Sequence, residues 1–193
     1  MIEWLQNNWI ETVGAGLALF YLILEVRQNW IMWIIGIISS IFYIYIFFEA
    51  QLYAETGLNV YYAAMSFYGL YCWKFVPTKE ERRGVQQISQ SQIIKSGIIG
   101  GCLFAGLSFC LARYTHSPVP FPDAFIATLG IIATWMTAKK IIESWYLWIV
   151  SNFFAIGLYI YQQLYPTSVL YVVYGILSII GLREWRKSLI QKL

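Results

Sequence analysis

In the run SWYLWIVSNFFAIGLYIY, Trp145, Trp148, Asn152, Ala155 and Tyr159 step by three, four, three and four, so on a helix their side chains share one stripe. Indole faces, a primary amide and a phenol can hold a small organic molecule by stacking and hydrogen bonding. Covalent chemistry would need a nucleophile beside a base, or carboxylates grouped for a metal, and no span shows either. Asn152 is the informative member: Trp145 lies near a helix start, and the amide follows about 10 Å deeper. In an apolar medium an unpaired amide is costly, which points to a use. Two readings fit: the Asn reads a substrate, or it makes an interhelical hydrogen bond beside an interfacial Trp belt.

The medium is indeed apolar. Of 193 residues, 59% are hydrophobic, 19% aromatic and only 12% charged, too few charges to cover a water-soluble surface. Seven runs have the roughly 20-residue length that a bilayer core of about 30 Å demands: about 9–26, 30–48, 58–76, 93–112, 123–141, 145–163 and 167–185. Pro77, Pro118, Pro120, Pro122 and Pro166 all fall in the connections, so no proline kink is predicted. The start, MIEWLQNNWIE, has no Lys or Arg and lacks the basic region of a cleaved signal, so the first span is expected to stay. Cys72, Cys102 and Cys110 read as small core-filling residues rather than a disulfide framework.

Basic residues fix the predicted orientation. With the C-terminus and the loops after spans one, three and five on one side, that side holds twelve of the thirteen Lys and Arg residues, and only Arg113 falls opposite. The positive-inside rule then predicts an external N-terminus and a cytoplasmic C-terminus in a multi-pass protein of the inner (plasma) membrane. The net charge of +3 is thus a topology signal and gives no nucleic-acid patch. The stretch TKEERRGVQQISQSQ, residues 78–92, reads as a solvated cytoplasmic linker with room for a short surface helix.

The chain repeats itself. Trp30, Trp33 and Ile34 match Trp145, Trp148 and Ile149 at a spacing of 115. After a three-residue gap the spacing becomes 112 and continues through Leu52 and Leu164, Tyr62 and Tyr174, Ser66 and Ser178, Gly69 and Gly181, and Trp73 and Trp185. In this register Ile37 stands where the second copy has Asn152. Spans one to three therefore correspond to spans five to seven around a linking fourth. The predicted divisions are a first repeat at about 9–76, a linker and fourth helix at about 77–112, and a second repeat at about 123–185, in one transmembrane domain. Parallel repeats of this kind are a transporter architecture with the site expected between the halves near midplane.

Tyr62, Ser66, Gly69 and Trp73 form one helix stripe, as do Tyr174, Ser178, Gly181 and Trp185. It fits either a packing seam or a lined pathway, with Tyr62 and Tyr174 deep enough to touch a substrate and both tryptophans as belt anchors. Gly97, Gly101 and Ala105 give span four a small-residue face, predicted to join the halves or meet another subunit. Ionisable residues are absent from the middle of every span, and Glu25 is placed at an end. A proton relay would need an interior ionisable group, whereas a passive carrier needs none. The single histidine, His116, has no Cys or second His nearby, so no metal, cofactor or base catalysis is predicted.

The second-half run from Ser144 to Ser188, with ILEVRQNWIMWIIGIISS and QLYAETGLNVYY in the first half, resembles the PnuC family of vitamin-precursor transporters over nearly the whole chain. The most specific element is W-x-x-W-x-x-x-N at Trp145, Trp148 and Asn152, which in that family lines the nicotinamide riboside site. The resemblance implies an all-α, three-plus-one-plus-three membrane fold like that of the SWEET sugar carriers, assembled as a homotrimer. It also implies facilitated diffusion of an unphosphorylated precursor, trapped inside by a separate kinase. Trp145 and Trp148 would then be a platform for the pyridinium cation, and Asn152 would hydrogen-bond the carboxamide or ribose. Tyr159, Tyr174 and Tyr62 join by position in the stripes. Thiamine and riboflavin are alternative substrates of similar family members, and an integral membrane enzyme is the alternative of another class.

Overall fold

The computed structural model describes residues 9–49, 51, 53–75, 84–115 and 117–190. The described residues form seven helices: α1 (Trp9–Val26), α2 (Ile31–Glu49), α3 (Tyr53–Leu70), α4 (Gln90–Tyr114), α5 (Pro120–Ala138), α6 (Ser144–Tyr161) and α7 (Tyr165–Ile190). Each coincides with a predicted span to within about three residues, except that α3 starts five residues before its predicted 58–76 and α7 runs on to Ile190. His116, and the linker positions 78–83, lie outside the described residues.

Four of the helices, α2, α4, α5 and α7, are long and apolar enough to cross a membrane by length and composition. The other three have 18 residues each. Two of these, α3 and α6, carry groups turned toward other helices: Ser66 and Gly69 on α3, and Ser151 and Asn152 on α6, are buried. Large apolar side chains point outward instead, as with Ile38 at 64% and Ile98 at 64% exposure. That inversion is what a lipid solvent permits, since apolar surface there has no water to escape.

Local chemistry explains the helix ends. A capping box starts α4: the Gln92 N–H donates to Ser89 Oγ (3.3 Å) and the Ser89 N–H to Gln92 Oε1 (2.9 Å). Pro120 and Pro122 open α5, and Pro166 sits in the first turn of α7. Those positions have no intrahelical N–H bond to lose, so the prolines start helices rather than merely connect them. At its far end α3 passes into one π-helical turn, Tyr71–Phe75, which carries Trp73.

Left-handed turn residues recur at a fixed spacing. Gln28 and Lys140 have φ of 53° and 54°, and Gln51 and Gln163 have 58° and 61°, each pair 112 residues apart. The turn after α1 closes with N–H donation from Gln28 to the Glu25 carbonyl and from Asn29 to that of Leu24, both at 2.9 Å. After α5 the same closure runs from Lys140 to Thr137 and from Ile141 to Met136, again at 2.9 Å. The spacing is thus already 112 before α2 and α6 begin. This corrects the register read from the Trp-x-x-Trp letters: Trp33 answers to Trp145, Gly36 to Trp148 and Ser40 to Asn152. Identical residue types had drawn the pairing one helical turn out of step, while the left-handed turn residues, which carry no shared letter at 28 and 140, set the true one.

Helix packing crosses between the triplets. Beyond the hairpins α2–α3 and α6–α7, α1 packs on α7 and α3 on α5. The described part of the linker is no loose tether. Gln86 exchanges backbone bonds with Lys140 and Ile142 at 3.0 and 2.9 Å, and the Ile88 N–H donates to Glu143 Oε2 (2.9 Å). Val85 is buried against Ile142, Trp145 and Trp185. The α4 face at Gly97 and Gly101 meets nothing within 4 Å, whereas Gly100 faces Ile132 of α5.

Candidate functional site

Four tryptophans tie the triplets together. Trp33 of α2 lies over Gly69 of α3, and Trp145 of α6 lies over Gly181 of α7; a Cβ at either glycine would fall inside the indole ring's contact radius. Trp33 meets Trp73 edge-on with centroids 5.5 Å apart at 90°, and Trp145 meets Trp185 at 5.5 Å and 85°. Trp73 and Trp185 then touch each other at 6.1 Å. Each also bonds across: Trp73 Nε1–H donates to the Ala138 carbonyl at 3.1 Å, and Trp185 Nε1–H to the Glu25 carbonyl at 3.2 Å. Trp185 is fully buried, so these two residues are cross-links between helices and not the belt anchors predicted for them.

Next to this array, α5 offers Gly130. A side chain there would meet the Tyr62 hydroxyl of α3 at 2.9 Å and the Trp148 ring of α6 at 3.8 Å. The missing Cβ lets a residue of each triplet converge on one point, which brings together the predicted site residues Tyr62 and Trp148. Tyr61 braces α3 there by donating its hydroxyl to the Ile131 carbonyl at 2.7 Å. One turn beyond Trp148, Asn152 is only 6% exposed. Its Nδ2 donates to Ser178 Oγ at 3.1 Å, and the Ser178 hydroxyl donates in turn to the Tyr174 carbonyl at 2.8 Å. The Asn amide is held from one side, and among the described residues no donor reaches its Oδ1.

Asn152 therefore bridges α6 and α7 through its Nδ2, the interhelical bond that one of the two readings expects. Tyr159 and Tyr174 join this region through Tyr171, with ring centroids 5.0 and 5.4 Å from it. Trp145 differs from its neighbours. Closed in by Gly181 and Trp185 with no exposed surface, it backs the site rather than facing it. Trp148 is half-buried, and its indole N–H has no hydrogen-bond partner among the described residues.

Two residues that matter here were not singled out from the sequence. Glu25, placed at a span end, is 3% exposed, and its Oε1 accepts from the Thr137 hydroxyl of α5 at 3.0 Å. Trp148 stands beside the same carboxylate. A signal existed: at the spacing of 112, position 25 answers to 137, so a Glu in one repeat faces a Thr in the other.

The family model described as nicotinamide mononucleotide transporter matches residues 8–187. The chain belongs to that family. Its members are membrane transporters and not enzymes. Among similar proteins is the nicotinamide riboside transporter PnuC of Escherichia coli (strain K12), 24% identical, with 94% of this chain and 86% of that protein covered. Another is the riboflavin/roseoflavin transporter RibM of Streptomyces davaonensis, 25% identical over 92% of this chain and 84% of that protein. The fold is that of the crystal structure of the vitamin B3 transporter PnuC, with a TM-score of 0.75 at 21% identity, covering 96% of this chain and 84% of the other.

Proposed function

We propose that the chain is a nicotinamide riboside transporter whose two triplets, α1–α3 and α5–α7, form parallel halves around a site near Gly130. The observation that carries this reading is the meeting of Tyr62 and Trp148 at Gly130, one turn from the buried Asn152, whose Oδ1 meets no donor among the described residues. The Trp148 face holds the pyridinium, Asn152 Oδ1 accepts from the carboxamide or a ribose hydroxyl, and Tyr62, Tyr159 and Tyr174 line the remainder. Trp145 stiffens the wall behind Trp148. Transport is facilitated diffusion, made effectively one-way by phosphorylation of the product on the cytoplasmic side. The basic end, where Lys74 lies over the Trp30 ring and Lys140 over Trp73, is that cytoplasmic side, with the N-terminus external. A homotrimer belongs to the same proposal, with the open Gly97 and Gly101 face of α4 as the surface a neighbouring copy meets.

Uptake of labelled nicotinamide riboside into liposomes holding the purified protein tests this directly, with thiamine and riboflavin as parallel substrates. Nicotinamide riboside should enter well above empty vesicles and faster than either. Faster riboflavin entry would transfer the assignment to the RibM-like activity, and no entry of any of the three would end the vitamin reading.

A further inference from the structure

We propose that Glu25 is a specificity-determining residue: its carboxylate is the fixed negative charge that makes the site between the triplets select a positively charged aromatic over a neutral one. This rests on the transport reading above and adds to it the group that reads the substrate's charge.

Glu25 is almost wholly enclosed, at 3% exposure, on an apolar helix. A buried carboxylate is costly unless it is paired, and one hydroxyl is a thin partner for it. Thr137 donates one bond, to Oε1, and no lysine or arginine among the described residues forms an ion pair with Glu25. Trp185 holds this stretch of α1 through the Glu25 carbonyl, a backbone atom any residue supplies, just as Trp73 holds α5 through the carbonyl of Ala138. The equivalent position in the second repeat is Thr137, so the same scaffold is built there from a neutral side chain.

Position completes the case. The carboxylate stands beside Trp148, whose buried indole N–H neighbours it without closing a well-formed hydrogen bond and has no other partner among the described residues. A flat cation stacked on that indole would lie within reach of the charge and supply the neutralisation that the protein omits. A neutral isoalloxazine would leave the charge buried and unanswered, so the same contact that favours the one disfavours the other.

The test compares two molecules of nearly one shape: nicotinamide riboside and its reduced dihydro form, which lacks the pyridinium charge. Uptake of each is measured in liposomes with the parent, Glu25→Asp, Glu25→Gln and Glu25→Thr, after gel filtration confirms assembly. The parent should prefer the cation, the Asp variant should keep that preference, and the neutral variants should lower the cation-to-neutral ratio about tenfold or more. A ratio in Glu25→Gln and Glu25→Thr equal to the parent's would overturn the role of Glu25 while leaving the transport reading intact. Failure of both neutral variants to assemble would make the carboxylate a folding element and overturn it too. No uptake of either form by the parent would instead remove the reading on which the inference rests.

Discussion

The indole of Trp145 lies flat against the backbone at Gly181, so close that even a methyl group at position 181 would overlap its ring. Trp33 and Gly69 repeat the relationship 112 residues earlier. Both rings are fully enclosed and cannot swing away as a flexible chain end would. Gly181→Ala and Gly69→Ala should each cost about 1–3 kcal/mol through overpacking, seen as an earlier thermal transition in detergent. The two losses should be similar, because the two seats are alike; parent-like melting of both variants would contradict the packing described.

Asn152 has two jobs that mutation can separate. Asn152→Ala removes the bridge to Ser178 and the free Oδ1 together, whereas Ser178→Ala removes only the bridge. If Oδ1 meets the substrate, Asn152→Ala should weaken nicotinamide riboside binding by about tenfold, on the order of 1–2 kcal/mol for a buried hydrogen bond. Ser178→Ala should cost less than half of that. Titration calorimetry on the purified variants decides it, and equal losses would reduce Asn152 to a helix-bridging residue.

Trp148 is predicted to act through its face. Trp148→Phe keeps a smaller aromatic ring and should retain measurable uptake, while Trp148→Leu keeps apolar bulk without a quadrupole and should lose about tenfold more. Trp145→Phe, behind it and without surface of its own, should lower stability more than affinity. Paired melting and uptake measurements check the contrast, and equal uptake by Trp148→Phe and Trp148→Leu would leave the pyridinium without its platform.

The spans were legible because hydropathy and the bilayer's thickness leave little freedom: α2, predicted at about 30–48, runs Ile31–Glu49. The aromatic stripe was legible too, since helical periodicity alone places Trp148 and Asn152 on one face. The register of the first Trp pair was not, because shared letters outweighed the unlike turn residues Gln28 and Lys140, whose common left-handed backbone appears only in three dimensions. Trp73 and Trp185 look like belt residues by depth, yet their partners are carbonyls on helices far away in sequence. Glu25 escaped for the same reason. A residue one step from a helix end is normally solvated, and only the packing of α1 on α7 and the reach of Thr137 from α5 enclose it.

Passive transport makes the last prediction, and Glu25 sharpens it. A carboxylate between the halves invites comparison with proton-coupled carriers, where such a group must gain and lose a proton in each cycle. In the role proposed for Glu25 the cationic substrate itself answers the carboxylate, so no proton need cross with it. Uptake into liposomes should therefore run equally fast with and without an imposed proton gradient, and stop when internal and external nicotinamide riboside are equal. Enclosing a riboside kinase with ATP should then lift accumulation above that limit without changing the initial rate. Concentrative uptake that depends on a proton gradient, without kinase, would show that the protein couples transport to protons and that diffusion with trapping is the wrong mechanism.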